Sequence, residues 1–441
     1  MVKTHVEESL GANPGNAALN PADSVAMGVP ATRASGFLGS ARGRAFRALA
    51  HRPYRLLFVA FLVNQTGFWI SHLGMQGLMV ELAHNDPLWL GMLFFALFIP
   101  AFALAPVAGV AADRFDRKRI MLTSYGFVAV CSAALAALTA SGWITPPGLL
   151  ALALLFGTSF AFAGPASFAL AANAVPASDL PSAVSLQSAA NNLTRVVGPV
   201  VAAPILAAGR FEWAFGGFTV AAMLASLLIA RMAVARLEPE PEDGGILARL
   251  ATAFRHARER RPALSALSMV ATLSLFGVSH MVIMPVYAEQ VLGDVEYFAW
   301  IVVATGAGAM LGALSIGFRE ARPSMRGAAL LMLGYGASLA IFSITRTLAV
   351  ALVLQFAIGW TYFAVMTSLQ TLIQQIVAEA KRGRVMSLFQ VAWAGLVPWG
   401  GLAIGATAGA IGVTETLGIA AGICAAYAMG VLIFAGVEHG P

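Results

Sequence analysis

The stretch GVAADRFDRKRI, residues 109–120, places six charged side chains among twelve positions of a chain in which only 11% of the residues are Asp, Glu, Lys or Arg. Long apolar runs flank it on both sides. The whole chain of 441 residues is 59% hydrophobic, with a mean hydropathy of +0.78. Soluble domains do not have this composition. The stretch is therefore predicted to be a short polar loop between two membrane spans.

Apolar runs recur along nearly the whole sequence, each close to the roughly 20 residues that cross about 30 Å of hydrocarbon as a helix. The predicted fold class is an all-α integral membrane protein. It has twelve predicted spans, at 54–80, 87–112, 119–141, 147–172, 184–208, 213–235, 263–289, 297–318, 327–345, 348–377, 385–410 and 413–437.

The basic residues alternate between the two sides of the predicted bundle. The N-terminal tail, loops 2–3, 8–9 and 10–11, and the segment between spans 6 and 7 hold 24 of the 27 Lys and Arg residues, against Arg210 and Arg346 on the other side. By the positive-inside rule both termini are predicted to be cytoplasmic. Membrane topology, and not nucleic-acid binding, thus accounts for a pI near 9.7.

One long polar stretch, residues 236–262, separates six predicted spans from the other six. The predicted organisation is a disordered cytoplasmic tail (1–53), a six-helix bundle (54–235), a cytoplasmic linker (236–262), a second six-helix bundle (263–437) and a short tail (438–441). An internal echo supports duplication of the bundle. At an offset of 202 residues, four residues in or just before span 5 recur in or just before span 11: Val175, Ser185, Leu186 and Gly198 match Val377, Ser387, Leu388 and Gly400.

The opening stretch resembles the loop 2–3 signature of the major facilitator superfamily: a glycine, three residues, Asp-Arg, and a basic cluster. Asp116 departs from the pattern, because many members have a glycine there. The segments NQTGFWISHLGMQ, GPASFALAANAVPASDLPSAVSLQSAANNLTRVVGP and AKRGRVMSLFQ resemble the branch that includes enterobactin exporters, macrolide efflux proteins and transmembrane secretion effectors. The resemblance covers residues 54 to about 437 and leaves the N-terminal tail unexplained.

The resemblance implies a conformational latch at the cytoplasmic face, between loop 2–3 and the start of span 11. A helix N-terminus carries about half a positive charge, so Asp113 is expected to bridge to that end at Arg384. The alternative is a topology anchor that only holds the loop in the cytosol. The predicted latch residues are Gly109, Asp113, Arg114, Arg117, Lys118 and Arg384.

Arg195 lies about eleven residues into span 5, where a charge costs several kcal/mol unless it faces protein or water. Gln187 and Asn191 share its side of the helix at four-residue spacing. Two interpretations stay open: carbonyls before Pro199 satisfy the guanidinium, or it contacts an anionic substrate. The Gly198-Pro199 pair is predicted to form a hinge or packing seam, because proline removes a backbone donor and small residues allow close helix approach.

Span 1 carries a polar stripe, in which Gln65, His72 and Gln76 fall within about 40° of one another on a helix. Span 10 repeats the spacing with Gln355 and Tyr362. The resemblance implies that spans 1, 4, 7 and 10 line a central cavity. Substrate or coupling candidates are therefore Gln65, His72, Gln76, Asn191, Arg195, Gln355, Tyr362, Glu81 and Glu289.

Structural roles are the alternatives for several of these candidates. His72 either contacts a proton or substrate or forms a structural hydrogen bond. Glu81 and Glu289 lie near the outer ends of spans 1 and 7, and they are either carriers of a coupling proton or exposed rim carboxylates.

No phosphate-binding loop and no Cys/His cluster with metal-ligand spacing occurs in the sequence, so an ATP-driven pump and a membrane enzyme are not predicted. We predict a secondary active transporter of the bacterial inner membrane that exports amphipathic drug-like or siderophore-like small molecules by alternating access. A proton gradient is the expected energy source, with no cofactor, no metal and no nucleic-acid partner, and the expected state is a monomer. Alternatives are a facilitator or importer of a small metabolite on the same fold and, more distantly, a non-transporting receptor or assembly protein.

Overall fold

Helices make up the regular structure throughout the described residues, which are 46–233, 261–317, 323–377, 385–386 and 388–437 of this computed structural model. In hydrocarbon, backbone N–H and C=O groups have no water to bond, and a helix pairs them within one segment. The first-half helices are α1 (Arg52–Leu82), α2 (Pro87–Ala103), α3 (Ala105–Arg114), α4 (Arg117–Ala140), α5 (Pro146–Asn173), α6 (Leu180–Ala207) and α7 (Phe211–Ala230).

The second-half helices are α8 (Ala263–Leu292), α9 (Tyr297–Gly317), α10 (Met325–Ser343), α11 (Leu348–Ile376), α12 (Leu388–Ile411) and α13 (Val413–Val437). In the described part of the chain, nine helices are long and apolar enough to cross a membrane, and Pro87–Ala103 and Tyr297–Gly312 are shorter apolar helices. The count of twelve spans, the placement of both termini and the division into two bundles stay predictions. Residues 1–45, 234–260 and 438–441 lie outside the described residues.

Three predicted segments differ from the observed helices. Span 87–112 is divided at Leu104 into α2 and α3, with Pro100 inside α2 and a second proline opening α3, because proline cannot donate the helical hydrogen bond. Helix α8 is irregular, with a π segment at Leu273–Gly277 followed by a 3₁₀ segment at Val278–Ile283. Residues Arg47–Ala50, assigned to the disordered tail, form a 3₁₀ turn.

The two halves meet along two helix pairs, α2 with α12 and α6 with α9. Glycines line both seams. A Cβ atom added to Gly405 would lie 2.7 Å from the Pro87 carbonyl oxygen and 2.8 Å from the Gly91 Cα. In the other seam, a Cβ on Gly306 would lie 3.1 Å from the Arg195 carbonyl oxygen. Small residues permit this approach, and close packing contributes much of helix association in a membrane.

The opening stretch forms the end of α3 and the start of α4. Asp116 caps α4, because its Oδ1 accepts hydrogen bonds from the backbone N–H groups of Lys118 (2.8 Å) and Arg119 (3.3 Å). Its φ is −60°, so this turn needs no left-handed residue. An aspartate therefore fits where many superfamily members have glycine, and it also satisfies two helix-end donors.

Two predicted latch residues bind their own half of the protein. The Lys118 Nζ donates to the carbonyl oxygens of Ala230 (2.8 Å) and Met232 (2.6 Å) at the end of α7, and the Arg117 guanidinium donates to the Asn173 Oδ1 (3.1 Å) on α5. Arg114 is exposed, and the space around Gly109 is open. The Asp113 side chain and Arg384 lie outside the described residues, so the latch stays a prediction.

The close α2–α12 seam predicts that an added methyl group destabilises the protein at a glycine of the seam but not at a glycine with free space around it. Gly405→Ala should lower the melting temperature of the purified protein, because overpacking a tight contact costs about 1–3 kcal/mol. Gly422→Ala is the control, since a Cβ at Gly422 meets no atom within 4 Å and alanine favours a helix over glycine. Equal melting temperatures for the two variants would contradict the tight seam.

Candidate functional site

A guanidinium lies at the junction of the two halves, between aromatic rings from each. The Arg195 Cζ on α6 is 5.9 Å from the ring centroid of Trp69 on α1 and 5.3 Å from that of Phe363 on α11. A cation over an aromatic face is stabilised by about 2 kcal/mol or more where water is excluded. The first half thus supplies the charge and one ring, and the second half supplies the other ring.

Arg195 makes no hydrogen bond or ion pair with the described residues, and its buried Nε has no partner. Ion pairs in that part of the chain are His51–Asp179 and Arg210–Glu212. The structural interpretation required backbone carbonyls before Pro199 to accept hydrogen bonds from the guanidinium. No carbonyl of the described residues does so. Among the described residues its N–H donors therefore have no acceptor.

The local packing of α6 explains how Arg195 reaches the junction. A Cβ on Gly198 would overlap the Cβ of Trp69, so only glycine lets α6 approach α1 this closely. The polar side predicted for α6 divides among three neighbours: Gln187 donates to Ser167 on α5 (2.9 Å), Asn191 accepts from Gln65 on α1 (3.4 Å), and Arg195 faces the junction. Helix α6 continues through Pro199.

The second half adds a hydrogen-bonded aromatic pair to this site. The indole Nε1 of Trp393, on α12, donates to the Tyr362 hydroxyl at 3.0 Å, and the Tyr362 ring centroid is 5.2 Å from that of Phe363. Sequence analysis identified Tyr362 but missed Trp393 and Phe363. Their signal was only an aromatic residue in an apolar helix, which most often packs against lipid or core.

Gln355 has a packing role in this structure. Its Oε1 accepts from the Thr305 hydroxyl at 2.9 Å, its Nε2 lies 3.3 Å from the Met284 sulfur, and the side chain is 0% exposed. These contacts join α8, α9 and α11. Gln355 and Tyr362 are both buried on α11, where the sequence placed them on one stripe, and Gln355 is used in contacts between helices.

His72 occupies an aromatic enclosure beside the same Trp69. Its ring stacks on Phe68 with centroids 5.8 Å apart and planes at 2°, and Phe98 presents its edge at 5.9 Å. The His72 Nε2 lies 2.9 Å from the Gln76 Nε2, while the His72 Nδ1 and the Gln76 Oε1 are buried without partners. Of the three residues of the predicted stripe, His72 and Gln76 contact each other, and Gln65 donates to Asn191 on α6.

The two halves are also joined where α1 ends, a region called here the Asn85 end. The Asn85 Nδ2 donates to the Glu289 Oε1 of α8 at 3.0 Å. His84 and Asn85 have φ values of 50° and 64°, a left-handed conformation that is uncommon outside glycine. Glu81 is exposed at the end of α1. Glu289 is therefore a partner in a contact between halves and not simply a rim carboxylate.

Apolar helices with polar and aromatic side chains gathered where the two halves of the chain meet are typical of a multi-pass membrane transporter. The chain belongs to the transmembrane secretion effector family of major facilitator transporters, whose model matches residues 44–438. Such a protein resides in the bacterial inner membrane and acts on a small-molecule substrate.

Individual relatives are distant. The chain is 24% identical to the staphyloferrin A transporter of Staphylococcus aureus over 374 residues, covering 82% of this chain and 90% of that protein. It is 26% identical to the enterobactin exporter EntS of Shigella boydii over 352 residues, covering 77% and 81%. The crystal structure of the nucleoside transporter NupG superposes with a TM-score of 0.65 at 15% identity, covering 87% of this chain and 98% of that one. This last likeness shows the fold alone.

The Asn85–Glu289 bond predicts a conformational effect at the Asn85 end. Asn85→Asp should place a carboxylate against Glu289 and separate the halves there, because like charges in contact repel. Spin labels attached to cysteines that replace the exposed Trp143 and Ile344 report the distance between the halves at this end. The population of molecules with the longer label-to-label distance should increase. His84→Asp is the control, as it also puts an aspartate at a left-handed position but on an exposed neighbour. An unchanged distance distribution for Asn85→Asp would contradict a role for this contact in closure.

Proposed function

We propose that the chain exports amphipathic, siderophore-like small molecules that carry an anionic group, in exchange for inward-moving protons. The observation that carries this proposal is Arg195, a guanidinium between rings of both halves with no protein anion beside it in the described residues. The names of the two relatives, a staphyloferrin A transporter and an enterobactin exporter, support siderophores as the substrate class.

The geometry favours a substrate with an apolar body and one negative group. Trp69 and Phe363 offer ring faces, while the guanidinium offers N–H donors that suit a carboxylate or phenolate. A buried cation without a partner is costly, and an anionic substrate would remove that cost while it is bound. Neutral compounds gain only the aromatic contacts.

Alternating access follows from the position of the site between the halves. Arg195 and Trp69 belong to the first half, whereas Phe363 and Tyr362 belong to the second, so a relative rotation of the halves changes the site and its access together. The Asn85–Glu289 bond and the α2–α12 glycine seam hold one end together in this structure. Both must separate when that end opens.

His72 is the proposed carrier of the coupling proton, because its surroundings can accept both protonation states. A neutral His72 accepts a hydrogen bond from the Gln76 amide at Nε2, and a protonated one can donate to the Gln76 Oε1 after the amide turns. The face of the neighbouring Phe68 ring favours an imidazolium. His72 and Arg195 both contact Trp69, so protonation and substrate binding share a side chain.

Arg195→Gln should weaken binding of anionic compounds by about 1.5–3 kcal/mol, the size of hydrogen bonds to charged groups, and leave neutral analogues nearly unchanged. The measurement is a ratio of affinities for paired charged and uncharged analogues in folded protein. Arg210→Gln is the matched control, since Arg210 is exposed and pairs with Glu212. If the ratio is unchanged, Arg195 has a structural role and the preference for anions is lost.

His72→Gln should abolish the response of transport to a pH gradient while retaining substrate binding, because glutamine keeps hydrogen bonding but does not titrate near neutral pH. Uptake into inverted vesicles measures this, and its collapse with a protonophore in the wild type tests for an exporter against a facilitator or importer. His84→Gln, at an exposed loop position, is the control. Retained pH-driven uptake in His72→Gln would move the coupling role to Glu289 or Glu81.

A further inference from the structure

A second cavity lies inside the first half, between α1, α4, α5 and α7, away from Arg195. Its enclosed volume is about 50 Å³, and it opens to the outside. Six aromatic rings line it: Phe61, Phe68, Tyr125, Phe156, Phe160 and Phe218. No charged side chain is among the described residues that line it. The cavity therefore suits a neutral, flat, apolar group.

Two polar groups in this lining have no hydrogen-bond partner. Asn64 is 6% exposed, its carboxamide bonds to none of the described residues, and its Oδ1 is buried. The Tyr125 hydroxyl likewise has no partner in the described part of the chain. The serines beside them are already used, since Ser159 donates to the Ser124 carbonyl oxygen (2.7 Å) and Ser167 accepts from Gln187 (2.9 Å).

An unpaired buried amide is unfavourable and is rare in folded proteins. A carboxamide offers both a donor and an acceptor, and a tyrosine hydroxyl does the same. Aromatic walls with these two groups match an aromatic ring that bears a hydroxyl. The ring would pack on the phenylalanines by offset or edge contacts, while its hydroxyl would bond to Asn64 or Tyr125.

We infer that this cavity is a binding site for a neutral hydroxyaryl group. Phe68 forms a shared wall, because its ring lies 5.0 Å from Phe160 within the cavity and stacks on His72 on α1. An occupant therefore lies one ring away from His72. The natural occupant, an aryl arm of the exported molecule, rests on the proposed function, whereas binding of a small phenol does not.

Binding of 4-fluorophenol to the purified protein in nanodiscs, followed by ¹⁹F NMR against empty nanodiscs, tests this inference. Ala163 lines the cavity, so Ala163→Leu fills it; Ala151→Leu, at an exposed position of the same helix, is the matched control. Asn64→Leu removes the amide at similar size, and Tyr125→Phe removes only the hydroxyl. Fluorobenzene shows what the ring binds without its hydroxyl.

Saturable binding of 4-fluorophenol should fall at least tenfold in Ala163→Leu and several-fold in Asn64→Leu or Tyr125→Phe. Ala151→Leu and Arg195→Gln should bind it as the wild type does, and fluorobenzene should bind more weakly than the phenol. The inference is overturned if the wild type shows no saturable binding, or if the wild type and both polar variants bind 4-fluorophenol with equal affinity. If Ala163→Leu does not fold, the two polar variants decide the test. Loss of binding in Arg195→Gln would place the phenol at the junction and also overturn it. The charged-to-uncharged ratio at Arg195 tests the proposed function separately.

Discussion

Hydrocarbon cannot hydrogen-bond a peptide backbone, and the rest of this structure depends on that constraint. It makes every described membrane segment a helix, and it leaves packing as a principal means of holding helices together. Close approach at Gly405 joins α2 to α12, while Gly198 lets α6 settle against Trp69. The second contact carries Arg195 to the junction. The functional site is therefore positioned by backbone proximity before any polar contact is made.

The same constraint separates structural polar side chains from functional ones. Gln355 contacts Thr305 and Met284 on two neighbouring helices and joins them. Arg195, His72 and Asn64 each keep a buried atom without a partner. Because an unpaired polar atom in an apolar interior is costly, we propose that a ligand or a proton completes the hydrogen bonds of these three residues. They gather on α1 and α6, around Trp69 and Phe68.

The charged stretch at residues 109–120 has a structural use within its own half. Asp116 caps α4, and Lys118 and Arg117 bind the ends of α7 and α5. Helices α4, α5 and α7 are thereby tied at one end of the first half. Any latch between halves rests on Asp113 and Arg384, so one short motif combines assembly of a half with a proposed control of its movement.

Hydropathy was sufficient to predict the membrane class and its apolar helices, and short motifs carried the resemblance to the family, because both properties are local along the chain. The break at Leu104 and the irregular helix α8 were not predicted, since each depends on how the neighbouring helices accommodate a proline or a π segment. Only the tertiary structure paired Arg195 with Phe363, Trp393 with Tyr362, and Asn85 with Glu289. The physical reason is that lipid and the protein interior are equally apolar. The hydropathy of an apolar helix therefore does not indicate which of its sides faces lipid and which packs against a given helix.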